Sequence, residues 1–201
     1  MALKFANNNS LSAITALPAA VSGGSLNLIS TQTASSSATI SFTSGIDDTY
    51  KEYIIKWINV HPATDDVDFK FQGSIDGGSN YNVSITSTWF EAYHDEGDSG
   101  TSLGYSSGRD QGNGTSLQFI NNKLGNDNDQ SGCGTLHLFN PSDTTFVKHF
   151  SIASIRISEN DFQAQQYCAG YFNTTSAINA IVFQMSSGNI DSGTFKLYGV
   201  S

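Results

Sequence analysis

The chain has 201 residues and a formal net charge of −9; Ser, Thr, Asn and Gly supply 82 of its residues, whereas charged residues make up 13%. An acidic chain repels a phosphate backbone on average, and no span approaches the roughly 18 apolar residues of a membrane-spanning helix. Nucleic-acid binding and membrane insertion are therefore not expected, and the composition also excludes a coiled coil, which is rich in Ala, Glu, Lys and Leu.

Residues 1–37 predict an extended N-terminal arm. The segment is small and polar, is interrupted by Pro18 and by two consecutive glycines, and favours at most one short strand at residues 26–31. It has no long apolar run of the kind found in secretory signals, so we expect synthesis in a cytosol. The apolar residues of the arm are expected to anchor it to a neighbouring subunit; they are Leu3, Phe5, Leu11, Ile14 and Leu17.

Residues 38–86 alternate between apolar and polar side chains, as β-strands do. Strands are predicted at 38–43, 50–60, 67–72 and 81–86. The turn residues between the second and third of these predict a hairpin, and residues 76–79 predict a further turn. Residues 88–94 fit either a strand or one or two helical turns.

The second half of the chain begins with a predicted long loop at 96–114, which includes a short strand near 103–106, and a second loop follows at 126–132. Further strands are predicted at 134–139, 145–157, 166–173, 180–185 and 194–200. Nine or ten short strands with scarcely any helical period indicate an all-β fold. We predict an antiparallel two-sheet β-sandwich of jelly-roll type over residues 38–201, preceded by the extended arm.

The two cysteines, Cys133 and Cys168, lack the C-x-x-C spacing of zinc or redox sites. The favoured interpretation is a pair of buried reduced thiols, and a single disulfide between neighbouring strands is the alternative. No nucleophile elbow or nucleotide-binding glycine motif occurs. The pair Glu91 with Asp95 or Glu96 is a weak candidate for glycoside hydrolysis, so we expect a protein that is not an enzyme.

A cation and a sugar are the two ligands for which the sequence offers candidates. Asp127, Asp129 and Ser131 match the first positions of a calcium loop, but Leu138 stands where that loop requires a bidentate Glu. No cofactor is therefore expected, and a calcium ion is the alternative. Trp89 is the candidate for stacking on a glycan, whereas Trp57 lies in an apolar strand and is expected in the core.

Four phrases of the sequence carry a resemblance to a known group of proteins. They are LKFANNNSLSAITALP at residues 3–18, SFTSGIDDTY at 41–50, NVHPATD at 59–65 and MSSGNIDSGTFKLYGV at 185–200. Together they resemble the small virion proteins of marine tailed bacteriophages, including those of cyanobacteria. The last phrase resembles the final strand of jelly-roll modules in phage fibres and head-decorating proteins.

The resemblance implies a structural protein of the phage particle and supplies no catalytic residues. The implied function is assembly as a symmetric multimer, with a homotrimer preferred. The multimer would decorate the capsid or form part of a tail fibre or appendage. Its partners would be copies of itself and other virion proteins, and its location would be the virion, assembled in the host cytoplasm. The alternative is a carbohydrate-binding module that recognises a host surface glycan.

Overall fold

A computed structural model describes residues 25–201. The predicted anchoring residues of the arm lie outside the described residues; they are Leu3, Phe5, Leu11, Ile14 and Leu17. The described part contains twelve strands: β1 Leu26–Ser37, β2 Ile40–Phe42, β3 Glu52–Pro62, β4 Val67–Ser74, β5 Ile85–Asp95, β6 Thr101–Tyr105, β7 Gln118–Leu124, β8 Gly132–Phe139, β9 Lys148–Ile157, β10 Phe162–Phe172, β11 Ala180–Met185 and β12 Ile190–Val200. No helix in this part is long and apolar enough to cross a membrane.

The strands form two antiparallel sheets. The larger sheet has eight strands in the order β1-β12-β3-β8-β9-β10-β5-β6, and the smaller has four in the order β2-β11-β4-β7. Buried apolar residues from both sheets belong to one core cluster. The predicted all-β, antiparallel two-sheet sandwich is confirmed.

The strand pairing is nested. β1 pairs with β12 and β3 with β8 in the larger sheet, while β2 pairs with β11 and β4 with β7 in the smaller sheet. In both sheets the first strands of the chain therefore lie next to the last ones. The four remaining strands, β9, β10, β5 and β6, extend the larger sheet along one side.

β1 is longer than predicted. It spans twelve residues and pairs with β12 from Leu26↔Val200 to Ser37↔Ile190. Residues 26–37, which the sequence placed in the arm, are therefore an edge strand of the larger sheet.

The hairpin predicted between residues 50–60 and 67–72 is wrong. β3 pairs with β12 and β8, whereas β4 pairs with β11 and β7 in the other sheet. The inward side chains of the two strands meet across the sandwich instead, with the rings of Trp57 and Phe69 5.8 Å apart. Alternation alone shows that a strand has a buried face, and it does not show whether the next strand lies beside it or opposite it.

Two further strands differ from the prediction. Residues 81–84 are not in a strand, and β5 begins at Ile85 and runs through the ambiguous segment to Asp95. β7 was not predicted, because its sequence QFINNKL lacks alternation and contains buried amides in Gln118, Asn121 and Asn122. These amides bond to other buried polar groups, which compensates for the cost of removing them from water.

The predicted turn at residues 76–79 is present and is organised by one carboxylate. Asp76 accepts hydrogen bonds from the Ser74 hydroxyl at 2.6 Å and from the Asn80 side-chain and backbone nitrogens at 2.7 and 2.9 Å. These bonds stabilise the charged form and lower the pKa of Asp76 from 3.8 to about 2.

Candidate functional site

The outward face of the larger sheet carries a row of exposed aromatic side chains. Tyr105 of β6 lies opposite Phe90 of β5, and Phe90 lies opposite Tyr167 of β10. The rings of Phe90 and Tyr167 stack with centroids 5.1 Å apart and planes 22° from parallel. The three side chains are 57%, 39% and 37% exposed in the order named. We call Tyr105, Phe90 and Tyr167 the aromatic row.

Apolar residues beside the aromatic row widen it into a patch. The neighbouring row contains Leu103, Ala92 and Ile155, with the polar Gln165 between Ala92 and Ile155. Leu103 is 74% exposed. A shallow groove of about 340 Å³ continues from there toward β3; its lining includes Ile58, Cys133, Thr135, Ala153, Ile155 and Gln165. Contiguous apolar patches on soluble proteins mark contact surfaces, so this face is the strongest candidate site in residues 25–201.

Two lysines adjoin the patch on its β3 side. Lys56 of β3 lies directly opposite Lys196 of β12, and neither is in an ion pair with another described residue. The Lys56 ammonium lies 5.8 Å from the ring centroid of Tyr198. Like charges placed opposite each other repel, and an anionic partner would relieve that repulsion.

Trp89, the predicted glycan contact, is completely buried, so it cannot stack on a sugar at the surface. Its indole nitrogen lies 3.4 Å from the Ile120 carbonyl oxygen, and the Arg109 guanidinium lies 5.4 Å from the ring centroid. β5 is a strand, so successive side chains point to opposite faces. Trp89 therefore faces the core and Phe90 faces outward. Reading residues 88–94 as a strand would have identified Phe90 from the sequence.

The calcium candidates lie at one end of the sandwich, around a polar depression of about 500 Å³ whose lining includes Asp129, Ser131, Asp191 and His61. Asp127 is not part of that lining; its backbone N–H donates to the Gln130 side chain at 3.1 Å. Within residues 25–201 no three His, Cys, Asp or Glu side chains converge as a metal site would require. Calcium binding here stays a prediction.

The carboxylates considered for hydrolysis are engaged separately. Glu91 lies 3.6 Å from the buried Arg156 guanidinium, whereas Asp95 accepts hydrogen bonds from the backbone N–H groups of Ser99 and Gly100. The hydrogen bond to the Ser99 side chain contributes most to lowering the pKa of Asp95. His137, on β8, is bonded to Glu52 at 2.6 Å. Glu91 therefore has its partner within the larger sheet, whereas Asp95 has its partners in the turn after β5.

Both cysteines are free thiols, as the favoured interpretation expected. Cys168 is buried, and burial raises the pKa of its thiol to about 12. Cys133 is half-buried rather than buried, and its sulfur accepts a hydrogen bond from the Asn59 backbone N–H at 3.2 Å. The two side chains lie on opposite faces of the larger sheet, which rules out a disulfide between them in this fold.

At a protein concentration low enough to leave the outward face free, a thiol reagent at about pH 8 is expected to modify Cys133 in the folded protein and to spare Cys168, because the reactive species is the thiolate. Titration with an aromatic disulfide should release one equivalent of chromophore per native chain and two in denaturant. The Cys133→Ser variant should release none until it unfolds. Two reactive thiols in the native chain would contradict the burial of Cys168.

Comparisons of the chain with protein-family models, with curated proteins and with solved structures gave no match.

Proposed function

We propose that this protein is a structural, non-enzymatic component of a bacteriophage particle and that it assembles with copies of itself through the outward face of the larger sheet. The observation that carries the proposal is the aromatic row with its apolar surroundings. Aromatic side chains are enriched in protein interfaces and supply much of their binding energy.

A second copy fits this face better than a glycan does. Phe90 and Tyr167 stack against each other, so a face of each ring is already covered, whereas sugar binding uses exposed ring faces with polar groups placed beside them. The neighbouring row supplies mainly aliphatic carbon, with Leu103 and Ile155 exposed. Lys56 and Lys196 have no ion-pair partner among the described residues, so they are placed to meet acidic side chains of a second copy, which carries 18 Asp and Glu residues.

The virion location rests on the sequence resemblance and on composition. A surface of hydroxyl and amide groups with 13% charged residues allows many copies to pack closely with little repulsion. The capsid and the tail fibre or appendage are both compatible with such a protein. The multimer is a trimer, as the resemblance implies, or another symmetric assembly. Mass spectrometry of purified particles made by the encoding genome should find this chain in many copies; its absence would contradict the virion role.

The double variant Phe90→Thr/Tyr167→Thr tests whether the aromatic row mediates self-association. Threonine preserves strand propensity while removing the rings. If each ring contributes about 2 kcal/mol to association, the double variant should weaken self-association by roughly 1000-fold. Analytical ultracentrifugation should show a multimer of the 21.5 kDa chain for the wild type and a smaller species for the variant.

Leu28→Thr is the matched control, because Leu28 is 57% exposed but lies on β1 at the other end of the sheet. This variant should keep the wild-type mass. A wild-type chain that is monomeric at about 100 μM, a concentration that would populate even a weak complex, would contradict the proposal. A double variant that keeps the wild-type mass would exclude the aromatic row from the interface.

Carbohydrate binding is the second candidate, because Tyr105 keeps a largely exposed ring beside polar groups. Its hydroxyl donates to Asp110, a hydrogen bond that raises the pKa of Tyr105. A glycan array should then give signals that Tyr105→Thr removes and Trp89→Phe keeps. No binding at millimolar sugar would count against this candidate.

A further inference from the structure

β6 is an open edge of the larger sheet. It pairs with β5 on one side, and all five of its residues are exposed. Ser102 and Gly104 are exposed although they lie on the face of the larger sheet that is turned toward the smaller sheet. Such a strand is supported by one neighbour and presents unpaired backbone groups on its other edge. These groups can hydrogen-bond to a further strand.

The register determines which backbone groups point to the open edge. The Ser106 N–H donates to the Trp89 carbonyl at 3.1 Å, and the pairing then continues without a shift to Thr101. Hydrogen-bonded and non-hydrogen-bonded pairs alternate along an antiparallel ladder. The N–H and C=O groups of Thr101, Leu103 and Tyr105 therefore point away from β5, toward the open edge.

The other three sheet edges of the described part have features that discourage pairing. β1 carries a register shift between Leu28 and Ser30, β2 has three residues, and β7 pairs with β4 through two register shifts. β6 has an unbroken register, and its sequence TSLGY contains no proline and no charge. Bulges, short length, proline and charge are the usual protections of an edge strand, and β6 has none of its own beyond its modest length.

We propose that β6 pairs with β6 of a second copy in antiparallel orientation, about a two-fold axis at Leu103. This inference rests on the proposed function, in which the chain associates with itself. Leu103 then lies opposite Leu103 of the second copy, and Thr101 lies opposite Tyr105 of the second copy. The two paired strands contain no charged residue, although each chain carries −9. The contact joins the aromatic rows of the two copies into one surface.

Leu103→Pro tests the backbone pairing. Proline removes an N–H that points to the open edge and leaves the hydrogen bonds to β5 in place. Leu103→Thr is its matched control, since it removes the same apolar side chain and keeps the N–H. We expect the proline variant to sediment as a smaller species, with association weakened at least 100-fold, and the threonine variant to stay closer to wild type. Circular dichroism and a thermal scan establish that both variants are folded.

Oxidative cross-linking is a second test, and it detects the contact in the folded protein without breaking it. In the full chain with Cys133→Ser, Leu103→Cys should form a covalent dimer, because opposed residues of a hydrogen-bonded pair have Cα atoms about 5.5 Å apart, within disulfide reach. Leu28→Cys, at the opposite edge, should not.

The outcomes separate this contact from the proposed function. If the protein is multimeric but gives no cross-link at residue 103 and keeps its mass with Leu103→Pro, edge pairing is wrong and self-assembly through the outward face stands. If the wild type is monomeric, both are wrong. Equal dissociation by Leu103→Pro and Leu103→Thr would assign the effect to the side chain and overturn backbone pairing.

Discussion

Replacing Phe183 with alanine is expected to lower the free energy of unfolding by about 3–5 kcal/mol. Phe183 is completely buried on β11 of the smaller sheet. Its ring centroid lies 5.8 Å from that of Phe69 in its own sheet, and 6.0 and 5.5 Å from those of Trp57 and Phe195 in the larger sheet. The substitution leaves a cavity at the contact between the two sheets, where close-packed rings have little freedom to collapse.

Denaturant unfolding monitored by tryptophan fluorescence measures this loss. Phe146→Ala is the matched control, because Phe146 is 67% exposed and the chemical change is the same. Its effect should stay within about 0.5 kcal/mol. Since a domain is stable by about 5–15 kcal/mol, the Phe183 variant should lose a large part of its stability. A loss below about 1 kcal/mol would mean that Phe183 does not join the two sheets as described.

Glu91→Leu is expected to destabilise the protein by about 3–5 kcal/mol for a different reason. Arg156 is 5% exposed, and Glu91 is the carboxylate within ion-pair distance of its guanidinium. Asn122 accepts two hydrogen bonds from the same guanidinium, at 3.0 and 3.3 Å. Burial lowers the pKa of Arg156, and the Glu91 charge opposes that shift. Without Glu91 the buried cation loses its nearest compensating charge.

The double variant Glu91→Leu/Arg156→Met distinguishes an unpaired charge from lost packing. Removing both charges leaves no ion uncompensated, so the double variant should be more stable than Glu91→Leu by at least about 1 kcal/mol. A double-mutant cycle by denaturant unfolding, with Arg156→Met as the fourth species, gives the coupling. Additive losses would show that Glu91 and Arg156 act independently.

The buried polar network around this pair holds the extended part of the larger sheet to β7. Asn121 of β7 donates to Gln166 of β10 at 2.7 Å and accepts from Ser154 of β9 at 2.9 Å. Gln166 in turn donates to Glu91 of β5 at 3.2 Å. Directional bonds therefore link three strands of the larger sheet to the smaller one, a role that apolar side chains fill elsewhere in the core.

The sequence by itself determined most of the strands and, where apolar and polar side chains alternate, which face of the strand is buried. Alternation at residues 67–72 predicted β4 with Phe69 and Phe71 inward, and both are completely buried. The run at 180–185 coincides with β11. Side-chain alternation is a local property of an extended backbone, so it is visible in a short stretch of sequence.

The tertiary structure alone decided the partners of those strands and the chemistry of the outward face. The turn after β3 reads as a hairpin, yet its two strands lie in different sheets, because the nested pairing is set by contacts distant in sequence. The aromatic row joins Tyr105, Phe90 and Tyr167 through the register of three strands. The sequence of β7 is typical of a polar loop, because the amide side chains that it buries find their partners on β9 and β10, which are distant in sequence. Register and cross-sheet contact are long-range properties, and for that reason the single sequence left them open.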